Sequence, residues 1–390
     1  MLKPDFLFIC LLVALVGCST TTRHADDSQS TGWNPVEKPA APQAELEFVP
    51  EGPLVASPPA NLPEPTSPHI ALRREAWIPM QRWASENNFG VLRETSVSPA
   101  PTFALTTPQG LLRFQIRSRL AKWNGLDFHL GFEPQMISGQ PCLHTLDLEK
   151  NIRPLLRQFE VPARTNRVIV LDPGHGGKDV GTSSSLGQAN EKEFTLDWAR
   201  RLGRLLETNG WQVLLTRTSD TDLALSNRVA FAELHQADLF ISLHFNSVAP
   251  SREQAGLETY CLTPTGMPST LKRGDTDDVS LVFPNSAFDE ANFQFALSVH
   301  RSLLTSARLA DRGVRRARFL GVLRGQNRPA ILIEGGYLSN PTEARRIADP
   351  AFRQKLAQAV AASLLPPPAV PVLKTEARAN LSITNNLQVN

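Results

Sequence analysis

Charge in excess is the first thing missing. Forty Lys and Arg against 38 Asp and Glu leave a formal net charge of only +2 over 390 residues, and no basic stripe with interleaved aromatics concentrates it, so nucleic acid is excluded as a partner. Cysteine is also scarce, with four in all. Cys10 and Cys18 fall in the leading segment, so Cys142 and Cys261 remain for the folded part. A disulfide between them is open in an oxidising compartment, and two separate buried thiols are equally open. Hydrophobic length is lacking at the N-terminus. The apolar stretch Phe6 to Gly17 would make a helix of roughly 18 Å against a hydrocarbon core of about 30 Å, which suits a signal-peptide core and not a membrane span.

What is present is a set of polar groups at the ends of predicted strands. Arg167 to Leu171 is apolar and β-branched and breaks at Pro173-Gly174, so it reads as a buried strand feeding a glycine-rich turn that carries His175. Asp238 to Leu243 reads as a second strand ending at His244, and Ala330 to Ile333 as a third ending at Glu334-Gly335-Gly336. Open α/β sheets place their sites at such carboxyl ends. Asn190-Glu191-Lys192-Glu193 opens an amphipathic helix with Leu196, Ala199, Leu202 and Leu206 at helical spacing. If Asn190 is the N-cap, Glu193 takes the capping-box position and Glu191 is the freer carboxylate.

These segments resemble the zinc-dependent N-acetylmuramoyl-L-alanine amidases that cut bacterial peptidoglycan. The resemblance covers roughly residues 165–365. It rests on the Asp172-Pro-Gly-His-Gly-Gly177 turn, the Glu191-Lys192 helix start, Thr216-Arg217, Arg228, Ser242-Leu-His-Phe-Asn246 and Glu334-Gly-Gly-Tyr-Leu-Ser-Asn340, all in the family's order. It implies that His175, Glu191 and His244 are zinc ligands and that Glu334 is the catalytic carboxylate. The implied fold is α/β, a twisted, mostly parallel sheet with helices on both faces.

The donor set agrees on chemical grounds, because catalytic zinc keeps three protein ligands of these types and an open fourth position. Zinc lowers the pKa of bound water from about 15.7 to roughly 7, on the order of 12 kcal/mol, whereas a general base contributes about 10² to 10⁴-fold. The metal is therefore expected to matter more than the base. Glu334 is expected to take and return the proton, with Arg324 sharing the oxyanion. The bland alternatives are loop histidines at 175 and 244 and a helix-dipole charge at Glu191. Asp172 and Asn246 are expected to orient ligands or form turns. Arg217 and Arg228 are read equally as structural ion pairs or substrate contacts, and His235 and His300 as ordinary helix-face residues.

The rest of the chain divides into a leader at 1–18, a tether at 19–70, a small α+β unit at 74–160, the catalytic region at 165–365 and a tail at 366–390. Leu15-Val16-Gly17-Cys18 resembles the lipobox of bacterial lipoproteins, and Ser19 implies an outer-membrane anchor on a lipidated Cys18 in the periplasm. Ten prolines between Ser19 and Pro68 suit a disordered tether, about 40 Å long as a coil and about 155 Å if polyproline-like. In the 74–160 unit, Trp77 to Asn88 is expected as a helix, and Phe103–Leu105, Leu111–Ile116, Lys122–Leu130 and His144–Leu148 as strands. A wall-binding, spacing or regulatory role is expected there. A loop rich in Pro, Gly, Ser and Asp runs to about Asn285 and is expected to border the groove or cover the zinc. Arg312 to Arg318 holds four arginines, read either as a solvated edge or as contacts to anionic stem peptides. Peptidoglycan is the implied partner, and any activating protein is left unidentified. The competing functions are a zinc peptidase of another wall bond and a non-catalytic wall-binding lipoprotein.

Overall fold

Every residue of Val168–Pro173 is buried, as a strand covered on both faces requires. The computed structural model describes residues 76–157, 167–187, 189–248, 250–271 and 277–365. The expected leader, lipidated Cys18, tether and tail lie outside the described residues.

In chain order the strands are β1 Trp77–Pro79, β2 Arg93–Ser96, β3 Thr102–Thr107, β4 Gly110–Gln115, β5 Leu120–Trp123, β6 Leu126–His129 and β7 Gln135–Ile137. They continue as β8 Gln140–His144, β9 Val168–Pro173, β10 Gln212–Leu215, β11 Leu239–Asn246, β12 Leu257–Cys261, β13 Asp311–Arg316 and β14 Ala330–Tyr337. Eleven of them form one sheet in the order β10-β9-β11-β14-β12-β13-β6-β5-β4-β3-β2. From β10 to β13 the pairings are parallel except β12 with β14, and from β6 to β2 they are an antiparallel meander. The fold is thus mixed α/β with helices on both faces, as expected.

Alternation along the central strands sorts their side chains. Ile169, Leu171, Ile241, Leu243, Ile331 and Ile333 enter the core beneath the helices Glu191–Thr208, Asp289–Ala307 and Pro350–Ser363. Val168, Val170, Phe240, Ala330 and Leu332 face the opposite way, against Ala232 of the Leu225–Leu234 helix and Val322 and Leu323 of the Gly321–Arg324 turn of helix. Each large aliphatic buried this way contributes about 1.5–3 kcal/mol.

The segment expected as a separate small unit shares this sheet and core. β6 pairs β13 at Phe128 and Val314, and the Asp127 backbone N–H donates to Asp311 Oδ2 at 2.9 Å. Arg316, fully buried, donates to Asn151 Oδ1 at 3.0 Å and to the carbonyls of Leu262 and Lys150 at 3.0 and 2.7 Å. Three local expectations are corrected. Lys122 to Leu130 is two strands, because Asn124 (φ 51°) and Gly125 (φ 86°) make a tight hairpin turn of the kind Asn-Gly favours. Trp77 to Asn88 splits into β1 and a helix Met80–Glu86. His144 ends a strand instead of starting one, since its side chain accepts from Leu146 N and caps a short helix. Cys142 and Cys261 are two separate buried thiols.

Candidate metal and catalytic site

Three strands and one helix start converge on the site. After β9 the chain turns through His175 in a left-handed conformation, φ 62°, unusual for a non-glycine residue and held here by its surroundings. Two arginines supply much of that hold. Arg228 pairs with buried Asp172 at 2.7 Å and also donates to the carbonyls of Pro173 and His175, both at 2.9 Å. Arg217 donates to the carbonyls of Pro173 at 3.0 Å and of Gly174 and Lys192 at 2.8 Å. Arg228 thus makes a structural ion pair, and Arg217 holds the turn by hydrogen bonds to backbone carbonyls. Asp172 also accepts from Thr216 at 2.6 Å and Ser242 at 2.8 Å, which ties the turn to both neighbouring strands. A Cβ at Gly174 would sit 2.2 Å from His244 Cε1, so only glycine lets the turn pass the second histidine.

Glu191 opens its helix with 3% exposure and stands between the imidazoles. Its Oε2 lies 3.1 Å from His175 Nε2 and its Oε1 lies 2.9 Å from His244 Nδ1. Backbone N–H groups of Thr182 and Phe245 donate to the same oxygens at 3.0 and 3.1 Å. Burial alone would raise the Glu191 pKa, but the hydrogen bonds and charge of His175 and His244 hold it well below the usual carboxylate range. Asn190 occupies the cap position without a side-chain cap bond, its Oδ1 accepting instead from Ser183 at 2.9 Å, and Glu193 is exposed. On the far side of His175, Nδ1 lies 2.8 Å from Asp179 Oδ2, the carboxylate support that orients a metal-bound imidazole. Asp179 was not anticipated, although a carboxylate four residues after the loop histidine was its signal.

One donor atom from each of His175, Glu191 and His244 lies within 4.8 Å of the others, so the set could hold a metal ion. A cleft of about 260 Å³ opens onto it, lined in part by Asp179, Asp222, Leu223 and Leu225. Glu334 stands beside His244, its register partner on β14. Its Oε2 is buried and has no hydrogen-bond partner among the described residues. Burial, then the negative charges of Glu191 and Glu258, push its pKa well above the usual value. Such a group is accounted for if a cation or a reacting water stands before it.

Arg324 is not brought to this group. It is exposed, with its guanidinium 5.4 Å over the ring of Phe283. Asn246 does not reach the histidines either, and donates to Glu258 at 2.9 Å. Glu258 collects more than that. It pairs with Arg312 at 2.8 Å and Arg315 at 3.5 Å. The chain has only two tyrosines, and both donate to it, Tyr260 at 2.7 Å and Tyr337 at 2.9 Å. Its signal in the sequence was a lone carboxylate inside a strand buried on both faces, which must find partners. His235 is exposed against Phe231. His300 is fully buried on its helix, within 2.9 Å of both Thr259 Oγ1 and Asp311 Oδ1.

An α/β sheet that gathers two imidazoles around a shared carboxylate able to hold a metal ion, with an unpartnered carboxylate oxygen beside them, has the groups a hydrolytic enzyme uses. Residues 169–365 match the family model described as N-acetylmuramoyl-L-alanine amidase. The chain is 30% identical to N-acetylmuramoyl-L-alanine amidase AmiA of Escherichia coli K12 over 220 residues, covering 51% of this chain and 75% of that protein. It is 31% identical to AmiC of Escherichia coli O6:H1 over 243 residues, covering 56% of this chain and 57% of that one. Among solved structures, the catalytic domain of the amidase CwlV from Paenibacillus polymyxa is similar at 33% identity and a TM-score of 0.42, with 50% of this chain and 95% of that one covered. The chain belongs to the N-acetylmuramoyl-L-alanine amidase family, and its enzyme class is peptidoglycan amidase.

Proposed function

We propose that this protein is a zinc-dependent amidase that separates the stem peptide from peptidoglycan by hydrolysing the amide between the N-acetylmuramic acid lactyl group and L-alanine. The observation that carries the reading is the joint one at Glu191 and Glu334: an ionised carboxylate faced by two imidazoles, and next to it an orphaned acceptor. His175, Glu191 and His244 would hold the ion, and the unpartnered Oε2 of Glu334 fits a site that is complete only with further occupants. When bound, zinc supplies Lewis acidity, making a water nucleophilic near neutral pH and polarising a carbonyl.

The chain's own residues do the rest. Asp179 fixes the His175 ring so that Nε2 faces Glu191. Arg217 and Arg228 hold the turn carbonyls, so the imidazole needs no reorganisation as charge develops. Glu334 takes the proton of the attacking water and delivers it to the departing L-alanine nitrogen, and its raised proton affinity suits a base that must also act as an acid. The protein works in the cell envelope, in the periplasm, anchored through a lipidated Cys18 to the outer membrane, with the tether letting the catalytic part reach the wall.

The test is a pair of variants assayed on dye-labelled sacculi with zinc content measured in parallel. Glu334→Gln should keep its zinc and lose activity by roughly 10²-fold or more, whereas His175→Ala should lose both. Released stems should carry a free N-terminal alanine. Full activity in Glu334→Gln, or shortened peptides in place of intact stems, would overturn the reading.

A further inference from the structure

Three helix ends meet away from the catalytic cleft, and a cavity of about 510 Å³ opens between them. They are the C-terminal ends of Asp289–Ala307 and Pro341–Ala348 and the start of Pro350–Ser363. Arg308, Arg346 and Lys355 line the cavity, and Asp349 is the one carboxylate that lines it with them. The catalytic cleft takes Leu225, Arg228 and Val322 from the helices on the opposite face of the sheet, and no residue lines both openings.

The cavity holds more positive charge than its own residues use. Arg346 donates to the carbonyls of Ala307 and, at 3.5 Å, Arg308, and its guanidinium stacks 4.5 Å over the Phe352 ring. Its fork is thereby held in one plane. Arg308 and Lys355 are exposed, and among the described residues neither side chain has an ion pair. Asp349 gives one oxygen to the Ala351 N–H at 2.8 Å as a helix cap, and among the described residues it pairs with none of the three cations. The nearest other acids along these segments are engaged elsewhere. Glu343 accepts from the N–H groups of Gly256 and Tyr337, and Asp311 faces His300. The lining therefore has a surplus of two positive charges. Arg308 adds a second observation, because it ends its helix in the left-handed conformation at φ 51° and ψ 49°, where glycine is the favoured residue. An arginine there carries a backbone cost that helix termination does not require.

We infer that this cavity binds a phosphomonoester group, supplied by a lipid headgroup or as free phosphate. Such a group carries about −1.5 to −2 charges at neutral pH, which matches the surplus, whereas a carboxylate would leave half of it unbalanced. Its three free oxygens suit two guanidinium forks and one ammonium group. Filling the cavity leaves the catalytic cleft open, so a lipid phosphate bound here holds the protein at a membrane without obstructing the reaction. The site stands on its own residues and does not depend on the amidase reading.

Titration calorimetry on the full chain tests it with two probes, inorganic phosphate and dihexanoyl phosphatidic acid below its micellar concentration. Wild type should bind saturably. Affinity about tenfold or more higher for the lipid assigns a headgroup, and equal or lower affinity for the lipid assigns free phosphate. Lys355→Ala and Arg308→Gly should each weaken binding by roughly 10-fold or more, the range of a hydrogen bond to a charged group. Zinc content and hydrolysis of a soluble muramyl peptide should stay at the wild-type level in both variants. Arg308→Gly should also melt no lower than wild type, because glycine relieves the left-handed backbone. That thermal result with phosphate binding intact would assign Arg308 to helix termination alone and overturn its place in the site. No saturable binding of either probe, or wild-type affinity in both variants, overturns the site itself. Failure of wild type to cut the muramyl peptide would count against the amidase reading and leave this inference standing.

Discussion

Asp179 reaches the chemistry only through His175. Its side chain is 60% exposed, so Asp179→Ala should leave the melting temperature of the metal-free protein unchanged. It should weaken zinc binding by about 10 to 100-fold, as loss of a carboxylate behind a ligating imidazole does, measured by competition with a chromophoric chelator. The gathering of His175, Glu191 and His244 with Glu334 beside them was legible because each occupies a place where chain geometry exposes a polar group: a glycine turn, a helix start and two strand ends. Arg324 was chosen without such a place, and it lies on the surface against Phe283. Glu258 escaped notice, and its pairing with Arg312 could not be foreseen, because what joins them is a register shift between Leu257 and Thr259, and no single-chain periodicity announces which residues of two strands become partners.

The loop after β12 was expected to border the groove or cover the zinc, and its described residues make packing contacts. Met267 and Ser269 are buried at 0% and 2% exposure, a Cβ at Gly131 would meet Met267 at 2.3 Å, and no described residue of 262–288 lines the catalytic cleft. Buried Arg318 pairs with Asp277 and donates to the carbonyls of Pro264 at 3.1 Å and Met267 at 2.7 Å. Deleting Thr265 to Ser280 would strand that arginine, at about 3–5 kcal/mol for a buried charge that loses its partner. The expected outcome is a melting temperature lower by roughly 10 °C and no rise in basal activity. A faster, equally stable deletion variant would restore the covering role. The hairpin at Asn124-Gly125 teaches a related lesson. Its turn signal was in plain view, but β5 and β6 are only four residues each, and a single longer strand spans both.

Across the whole molecule, one sheet joins segments that composition alone separated near residue 160. Charge does part of the joining through Arg316, whose partner Asn151 also donates to Asp147 at 2.7 Å, while the Asp147 oxygens accept from Gly131 N at 2.7 Å and Phe132 N at 2.9 Å within the N-terminal segment. Burial outweighs these bonds and raises the Asp147 pKa to about 6. Because the folded form holds this proton more tightly than the unfolded chain does, the group's contribution is complete below about pH 4 and declines as pH rises to about 6, by on the order of 2–3 kcal/mol. Urea unfolding of wild type and Asp147→Asn across pH 4 to 7 should show wild type losing that much relative to the variant. A constant gap would assign the bonds a different role. The meeting of both tyrosines on Glu258 has an optical consequence. Burial and that carboxylate raise both phenols far above their ordinary pKa, so alkaline difference absorbance should register no phenolate in the native protein and should rise in one step when the strands around Glu258 come apart, a built-in reporter that requires no added label.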